Sequence, residues 1–306
     1  MSIDAKLERL HEGQHIHGRG RLVDYSNLVK LPHTIFAMPF ALVGATIASY
    51  HHPISLRQIL LILTAFTSAR FAAMAFNRIA DRGIDARNPR TQMREIPAGR
   101  LSVRQAVVSV VLSSAVFLVS AALLNRICLV LAPLALGWVF FYSYTKRFTR
   151  WAHLVLGFSL AIAPVGAYLA VAGRWSEPPG ALLALAGAVL CWVAGFDILY
   201  SLQDMEFDRA EGLHSVPAAL GGRRALAVSR VLHLLSAAAF AALGFLLPEL
   251  GTLYLFGVAV IAVMLFYEQS LVRADDFSRV DAAFFTVNGI ISVLFFLIVL
   301  VERLFA

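Results

Sequence analysis

The chain has 306 residues, of which 59% are hydrophobic and only 15% charged, and its formal net charge is +7. A soluble domain of this size carries about a quarter charged residues, so the composition excludes an ordinary soluble enzyme and points to an all-α, polytopic membrane protein. The positive excess is accounted for by loops on one membrane face, and no nucleic-acid partner is needed to explain it.

The first thirty residues are polar, so no cleavable signal peptide is expected and the first apolar run belongs to the fold. A polar tail is expected over 1–24, followed by one membrane domain over 25–306. The tail carries His11, His15 and His17, which read more readily as part of a disordered polar segment than as a metal site. Nine spans are predicted, at roughly 32–50, 56–77, 103–124, 127–145, 153–172, 181–203, 225–246, 250–271 and 284–303. Cys128 and Cys191 both fall inside spans and read as small core residues, not a disulfide.

The loops sort by charge. One face holds Lys6, Arg9, Arg19, Arg21 and Lys30, the stretch Arg78 through Arg104, then Lys146, Arg147, Arg150, Arg209, Arg223, Arg224, Arg230, Arg273 and Arg279. The other holds only Arg57, Arg126, Arg174 and Arg303. This asymmetry puts the N-terminus in the cytoplasm and the C-terminus outside a bacterial-type inner (cytoplasmic) membrane.

Two aspartate clusters lie on the cytoplasmic ends of apolar helices. After the second span the chain reads Asn77-Arg78-Ile79-Ala80-Asp81-Arg82-Gly83-Ile84-Asp85, with Asn77, Asp81 and Asp85 spaced i, i+4, i+8. After the sixth, Asp197, Asp204 and Asp208 are spaced i, i+7, i+11. On a continuous helix each set shares one face. Stacked carboxylates repel unless a cation lies between them, and hard oxygen ligands of this kind suit Mg²⁺ held jointly with substrate phosphates. A pair of solvated helix ends is the plainer alternative, but each cluster is followed by a basic loop, which favours a diphosphate site. Arg70, seven residues before Asn77, shares its face inside the span, where an arginine is costly and so suspect as functional. Arg94 in the following loop is a second phosphate candidate. Arg78, Arg82, Arg87 and Arg100 serve equally well as topology determinants.

The segment Tyr142 through His153 links the fourth and fifth spans. Lys146 and Arg147 can be read as positive-inside residues, and His153 as a satisfied structural histidine. Tyr142, Tyr144, Phe196 and Tyr200 could face a carbocation, though aromatics in spans are usually core or belt residues. Gly212 through Gly221, after the second cluster, contains the Gly212 and Pro217 of a shaped turn.

These motifs resemble the UbiA family of intramembrane prenyltransferases, over most of the chain. That family pairs an N-D-x-x-D-x-x-x-D-like motif after its second span with D-x-x-x-D after its sixth. Here Arg78 stands where many members have aspartate, and the second motif takes the form D-x-x-Y-x-x-x-D-x-x-x-D through Asp197, Tyr200, Asp204 and Asp208. Within the family the chain looks like the 4-hydroxybenzoate polyprenyltransferases. More narrowly it looks like the branch proposed to prenylate 1,4-dihydroxy-6-naphthoate on the futalosine route to menaquinone, through Pro32 to Leu42, Phe76-Asn77-Arg78 and Tyr144 to Thr149 followed by His153.

The resemblance implies a nine-helix UbiA-like bundle and Mg²⁺-dependent transfer from a polyprenyl diphosphate to a hydroxyaryl acid. Asn77, Asp81, Asp85, Asp204 and Asp208 would ligate Mg²⁺, while Arg70, Arg94 and Lys146 would bind diphosphate. Asp197 and Tyr200 would be catalytic, and Lys30 with Asp197 would bind the acceptor. The prenyl tail would lie in a lipid-open groove, and the Gly212–Gly221 loop would cap the site. An ion-coupled transporter predicts charges nearer mid-span. A CDP-alcohol phosphotransferase predicts a D-G-x-x-A-R element, absent here beyond Asp85-Ala86-Arg87. A family member with another acceptor, such as haem or chlorophyllide, stays open, because these motifs read only the donor.

Overall fold

The computed structural model describes residues 20–305 apart from 274, 275, 277 and 278, with no side-chain description for 31–36, 282 and 284. The expected tail and its histidines therefore lie outside the described residues, except for 20–24. A short helix, α1 (Arg21–Leu28), starts within the stretch expected to be tail.

The long helices follow as α2 (Leu31–Ala48), α3 (Leu56–Asp85), α4 (Val103–Leu124), α5 (Arg126–Thr145), α6 (Ala152–Ala172) and α7 (Gly180–Ser201). A 3₁₀ turn (Leu202–Asp204), α8 (Met205–Ala210) and α9 (Val216–Leu220) precede α10 (Gly222–Leu246) and α11 (Thr252–Leu271). A π-helical turn (Ala282–Val287) runs into α12 (Asn288–Phe305). Among the described residues eight helices are long and apolar enough to cross a membrane. The first long helix, α2, contributes a shorter apolar stretch, Ala37–Ala48. Nine long helices among the described residues thus match the nine predicted spans within a few residues at most ends.

Local chemistry sets the helix starts. Ser55 with Gln58, and Ser102 with Gln105, form reciprocal capping boxes at α3 and α4. Asn125 accepts the Cys128 N–H to open α5. Successive long helices pack as neighbours, and α12 closes back onto α2. The apolar core is an aromatic stack: Phe40 lies 4.6 Å from Trp192, and Phe240 lies 4.5 Å from Phe295 between ring centroids. Outward faces of α4 and α5, including Val111, Leu112, Val119, Val130 and Leu134, are exposed and suit lipid.

Small residues let backbones approach, as in other membrane bundles. Gly44 on α2 lies against the Pro164 carbonyl of α6, and Gly157 on α6 against the Leu190 carbonyl of α7. Behind α7 a buried polar chain ties four helices together. The Trp192 indole N–H donates to Asn288 Oδ1 at 2.7 Å, and Asn288 Nδ2 donates to Glu268 Oε1 at 2.8 Å. Gln269 Nε2 reaches Ser229 Oγ on α10 at 2.7 Å.

Candidate active site

The two clusters meet at one end of the bundle. Helix α3 runs eight residues beyond its predicted end at 77, so Asn77, Asp81 and Asp85 stand on one unbroken helix. The second cluster differs from expectation. The 3₁₀ turn interrupts it, so Asp197 belongs to α7, Asp204 to the turn and Asp208 to α8. Three residues at 120° each instead of 100° rotate the downstream helix by about 60°, so Asp204 and Asp208 do not continue the face of Asp197.

Each carboxylate is met by a basic side chain from a different part of the chain. Arg147 donates to Asp81 at 3.3 Å, and Arg94 donates to Asp85 at 2.7 Å. Arg90 donates to both oxygens of Asp204, through Nε at 2.9 Å and Nη2 at 2.5 Å. Lys146 Nζ lies 3.7 Å from Asp208. Asn77 Nδ2 donates to Asp81 Oδ2 at 2.8 Å and Asn88 Nδ2 to Asp204 Oδ1 at 3.0 Å. Burial alone would lower the pKa of Lys146, which caps α5. Asp208, Asp204 and Asp197 outweigh burial and hold it above the ordinary lysine value.

The loop after α3 is shaped to deliver these groups. Asn88 Oδ1 accepts the Arg90 N–H at 2.9 Å in an Asx turn, and Thr91 Oγ1 donates to the Asp85 carbonyl at 3.1 Å. Arg90 Nη1 then donates to the Tyr200 hydroxyl at 3.0 Å, with its guanidinium 5.2 Å from that ring's centroid. Tyr200 in turn meets the Phe285 ring edge-on at 6.0 Å. At the loop's outer edge Arg87 pairs with Glu211 at 2.7 Å, and the Glu211 hydrogen bond and charge raise the pKa of Arg87.

Asp197 has its own partner. His153, fully buried at the start of α6, has Nδ1 2.7 Å from Asp197 Oδ2. The other ring nitrogen, Nε2, accepts the Val216 N–H at 3.3 Å, which ties in the first residue of α9. Two further expected residues are placed by the backbone. Arg70 sits on α3 two turns before Asn77, about 10 Å along the axis. Lys30 forms the left-handed elbow between α1 and α2 (φ 48°). Arg78, the departure from the family pattern, is buried and donates to the Leu28 carbonyl at 3.4 Å, ending α1.

Asn88, Arg90 and Arg147 were absent from the expected ligand sets, and His153 was read as structural. The Asn-Pro-Arg run directly after the first cluster was the one sequence signal for the first two.

The residues present fit a divalent ion shared with a diphosphate. Asp85 Oδ2 and Asp208 Oδ2 are buried with no hydrogen-bond donor among the described residues, and hard oxygens so placed favour Mg²⁺. Among the described residues, no three acidic, histidine or cysteine groups sit together closely enough to hold an ion unaided. Phosphate oxygens and water would complete the shell.

The sequence pattern of the UbiA prenyltransferase family matches residues 37–296. A 4-hydroxybenzoate octaprenyltransferase from Nitrosospira multiformis is 29% identical over 283 residues, 92% of this chain and 96% of its own. One from Vibrio cholerae is 30% identical over 218 residues, 71% of this chain and 75% of its own. Among solved structures, a UbiA homolog from Aeropyrum pernix superposes with a TM-score of 0.79 at 36% identity, covering 88% of this chain and 98% of that one. A UbiA homolog from Archaeoglobus fulgidus bound to GPP and Mg²⁺ shares the fold, with a TM-score of 0.67 at 20% identity over 92% of this chain and 99% of its own.

Proposed function

Because this chain belongs to the UbiA prenyltransferase family, we propose that it transfers a polyprenyl group from a polyprenyl diphosphate to a hydroxyaryl carboxylic acid, 4-hydroxybenzoate or 1,4-dihydroxy-6-naphthoate, in quinone biosynthesis. The observation that carries this reading is the convergence of Asp81, Asp85, Asp204 and Asp208 with Arg147, Arg94, Arg90 and Lys146 at one end of an apolar bundle. Relatives named as 4-hydroxybenzoate octaprenyltransferases, one matching 92% of the chain, support the aromatic acceptor. The charge asymmetry of the loops supports a site open to the cytoplasm and a multi-pass inner-membrane location.

Asn77, Asp81, Asp85, Asp204 and Asp208 would hold Mg²⁺, which supplies positive charge to a diphosphate leaving group as its C–O bond breaks. Arg90, Arg94, Lys146 and Arg147 exchange their carboxylate partners for phosphate oxygens, and Arg70 adds a further cation deeper in the span. These fixed donors stabilise the charge that develops on the diphosphate. Asp197 accepts the hydrogen of the acceptor's hydroxyl, raising electron density at the ring carbon beside it. That carbon bonds to C1 of the prenyl group as the C1–O bond to diphosphate breaks, and its proton passes to the released diphosphate. Tyr200, held by Arg90, lies beside this chemistry. Lys30 pairs with the acceptor's carboxylate. The prenyl chain rests among the apolar faces open to lipid.

The test supplies the detergent-purified protein with Mg²⁺, a polyprenyl diphosphate and each acid in parallel, with products read by mass. Prenylated product from one acid is expected, with none after chelation or in Asp81→Ala and Asp204→Ala. Full activity in either variant would overturn the metal assignment. Mg²⁺-dependent binding of diphosphate with no product from either acid would leave the donor half standing and remove the acceptor half.

A further inference from the structure

The acceptor half of the site contains one buried titratable group that the reaction above does not use. His153 is fully buried, 2.7 Å from Asp197 on one side and 3.3 Å from the Val216 N–H on the other. A backbone N–H only donates, so Nε2 must accept and the ring proton must reside on Nδ1. From Nδ1 it is donated to Asp197 Oδ2. The histidine therefore bridges the two elements in a fixed tautomer, and the second oxygen of Asp197 is left for another partner.

The Val216 end of this relay belongs to a segment that crosses the site. Leu213 N–H donates to the Asp208 carbonyl at 2.8 Å, and His214 N–H to the Lys146 carbonyl at 2.6 Å. Arg209 Nε donates to the Ala218 carbonyl at 2.9 Å. Ser215 and Val216 are themselves fully buried. The segment is thus stitched to the backbone of a proposed metal ligand, to that of a proposed phosphate ligand and, through one ring, to the proposed acceptor ligand. Of these three ties to proposed site residues only the last passes through a side chain, whereas Arg209–Ala218 and Arg87–Glu211 hold the segment without touching Asp197.

We propose that His153 is a positioning residue that fixes the orientation of Asp197 and makes it conditional on the seating of the 211–221 segment. When Val216 is docked, Nε2 is engaged and Nδ1–H is aimed at Asp197. When the segment lifts, the ring loses the contact that dictates its tautomer, and Asp197 loses its fixed donor. Ordering of the Asp197 carboxylate and closure of the site become one event. The catalytic part of this inference rests on the reading of Asp197 given above, whereas the tie to the segment does not.

Three variants of the full chain in nanodiscs test it. His153→Phe keeps a ring and removes both nitrogens. His153→Gln restores one donor and one acceptor on a single amide. Val216→Pro removes the N–H and exchanges a buried isopropyl group for a ring of similar size, at a helix N1 position where proline is tolerated and after a Ser215 already extended at φ −141°, ψ 162°. Hydrogen exchange of the amides in 215–220 reports the tie. Steady-state kinetics report the consequence, with KM for the prenyl diphosphate read apart from kcat.

In His153→Phe, exchange over 215–220 is expected to rise about tenfold, as loss of one such hydrogen bond predicts. Its kcat is expected to fall at least about tenfold while KM for the diphosphate stays within about threefold. His153→Gln should recover most of both losses, and Val216→Pro should lower kcat with the histidine intact. Unchanged exchange in His153→Phe overturns the proposal. So does an unchanged kcat in Val216→Pro, or diphosphate affinity falling in step with kcat. If His153→Phe does not fold, Val216→Pro decides alone. Faster exchange in a protein that prenylates neither acid would uphold the tie and overturn the function reading instead.

Discussion

Arg90 spans both oxygens of Asp204 and the hydroxyl of Tyr200 with three different nitrogens. A lysine brings the same charge to a single point and cannot reproduce that fork. Arg90→Lys should therefore fold normally yet lose about 10- to 100-fold in kcat/KM for the prenyl diphosphate in steady-state assays. Wild-type kinetics would remove Arg90 from the site. The aspartates were legible in the sequence because carboxylates at helical spacing beside long apolar runs have few other uses. Arg90 and Asn88 were not, since their positions depend on an Asx turn and on Asp204, whose partner Asn88 lies 116 residues away. His153 was visible but undecided. A buried histidine acquires meaning only from the two atoms that flank its ring.

Hydrophobic runs located the long helices well, because a bilayer dictates both their length and their composition. What they could not reveal was where a helix changes pitch. Nothing in Leu202-Gln203-Asp204 announces a 3₁₀ turn, yet that turn separates the face of Asp197 from that of Asp204. Nor does composition tell which glycine is a contact. Gly157 lies one turn below His153 and faces the Leu190 carbonyl, two turns before Asp197, so it sets the spacing of α6 and α7 at the His153–Asp197 pair. Gly157→Ala should overpack this crossing and lower stability by about 1–3 kcal/mol, with a disproportionate loss of kcat. On α5, a methyl group added at Gly137 would meet no other residue within 4 Å. Gly137→Ala should be neutral or stabilising by up to about 1 kcal/mol. Thermal unfolding in detergent distinguishes the two, and equal losses would refute the contact argument.

At the scale of the whole molecule, two distant halves of the chain become one site through Arg90–Asp204 and Lys146–Asp208, two of four carboxylate–cation pairs gathered there. Those pairs must open before the carboxylates can take a metal and the cations a phosphate. Mg²⁺ and prenyl diphosphate should thus bind with positive coupling, each strengthening the other by the same factor, about 5- to 150-fold. Calorimetric titration of Mg²⁺ with and without a non-hydrolysable prenyl diphosphate measures that factor. A value near one would mean that the pairs seen here are not in competition with the ligands.

The same four pairs have a consequence for encounter. Charges matched one to one add little to the field at the mouth of the site beyond the basic excess that this whole face carries. A diphosphate anchored in the bilayer by its own tail arrives by lateral diffusion. Its association rate should therefore change little between about 0.05 and 0.5 M salt, a range over which electrostatic steering would collapse. Stopped-flow binding in nanodiscs would read that slope directly.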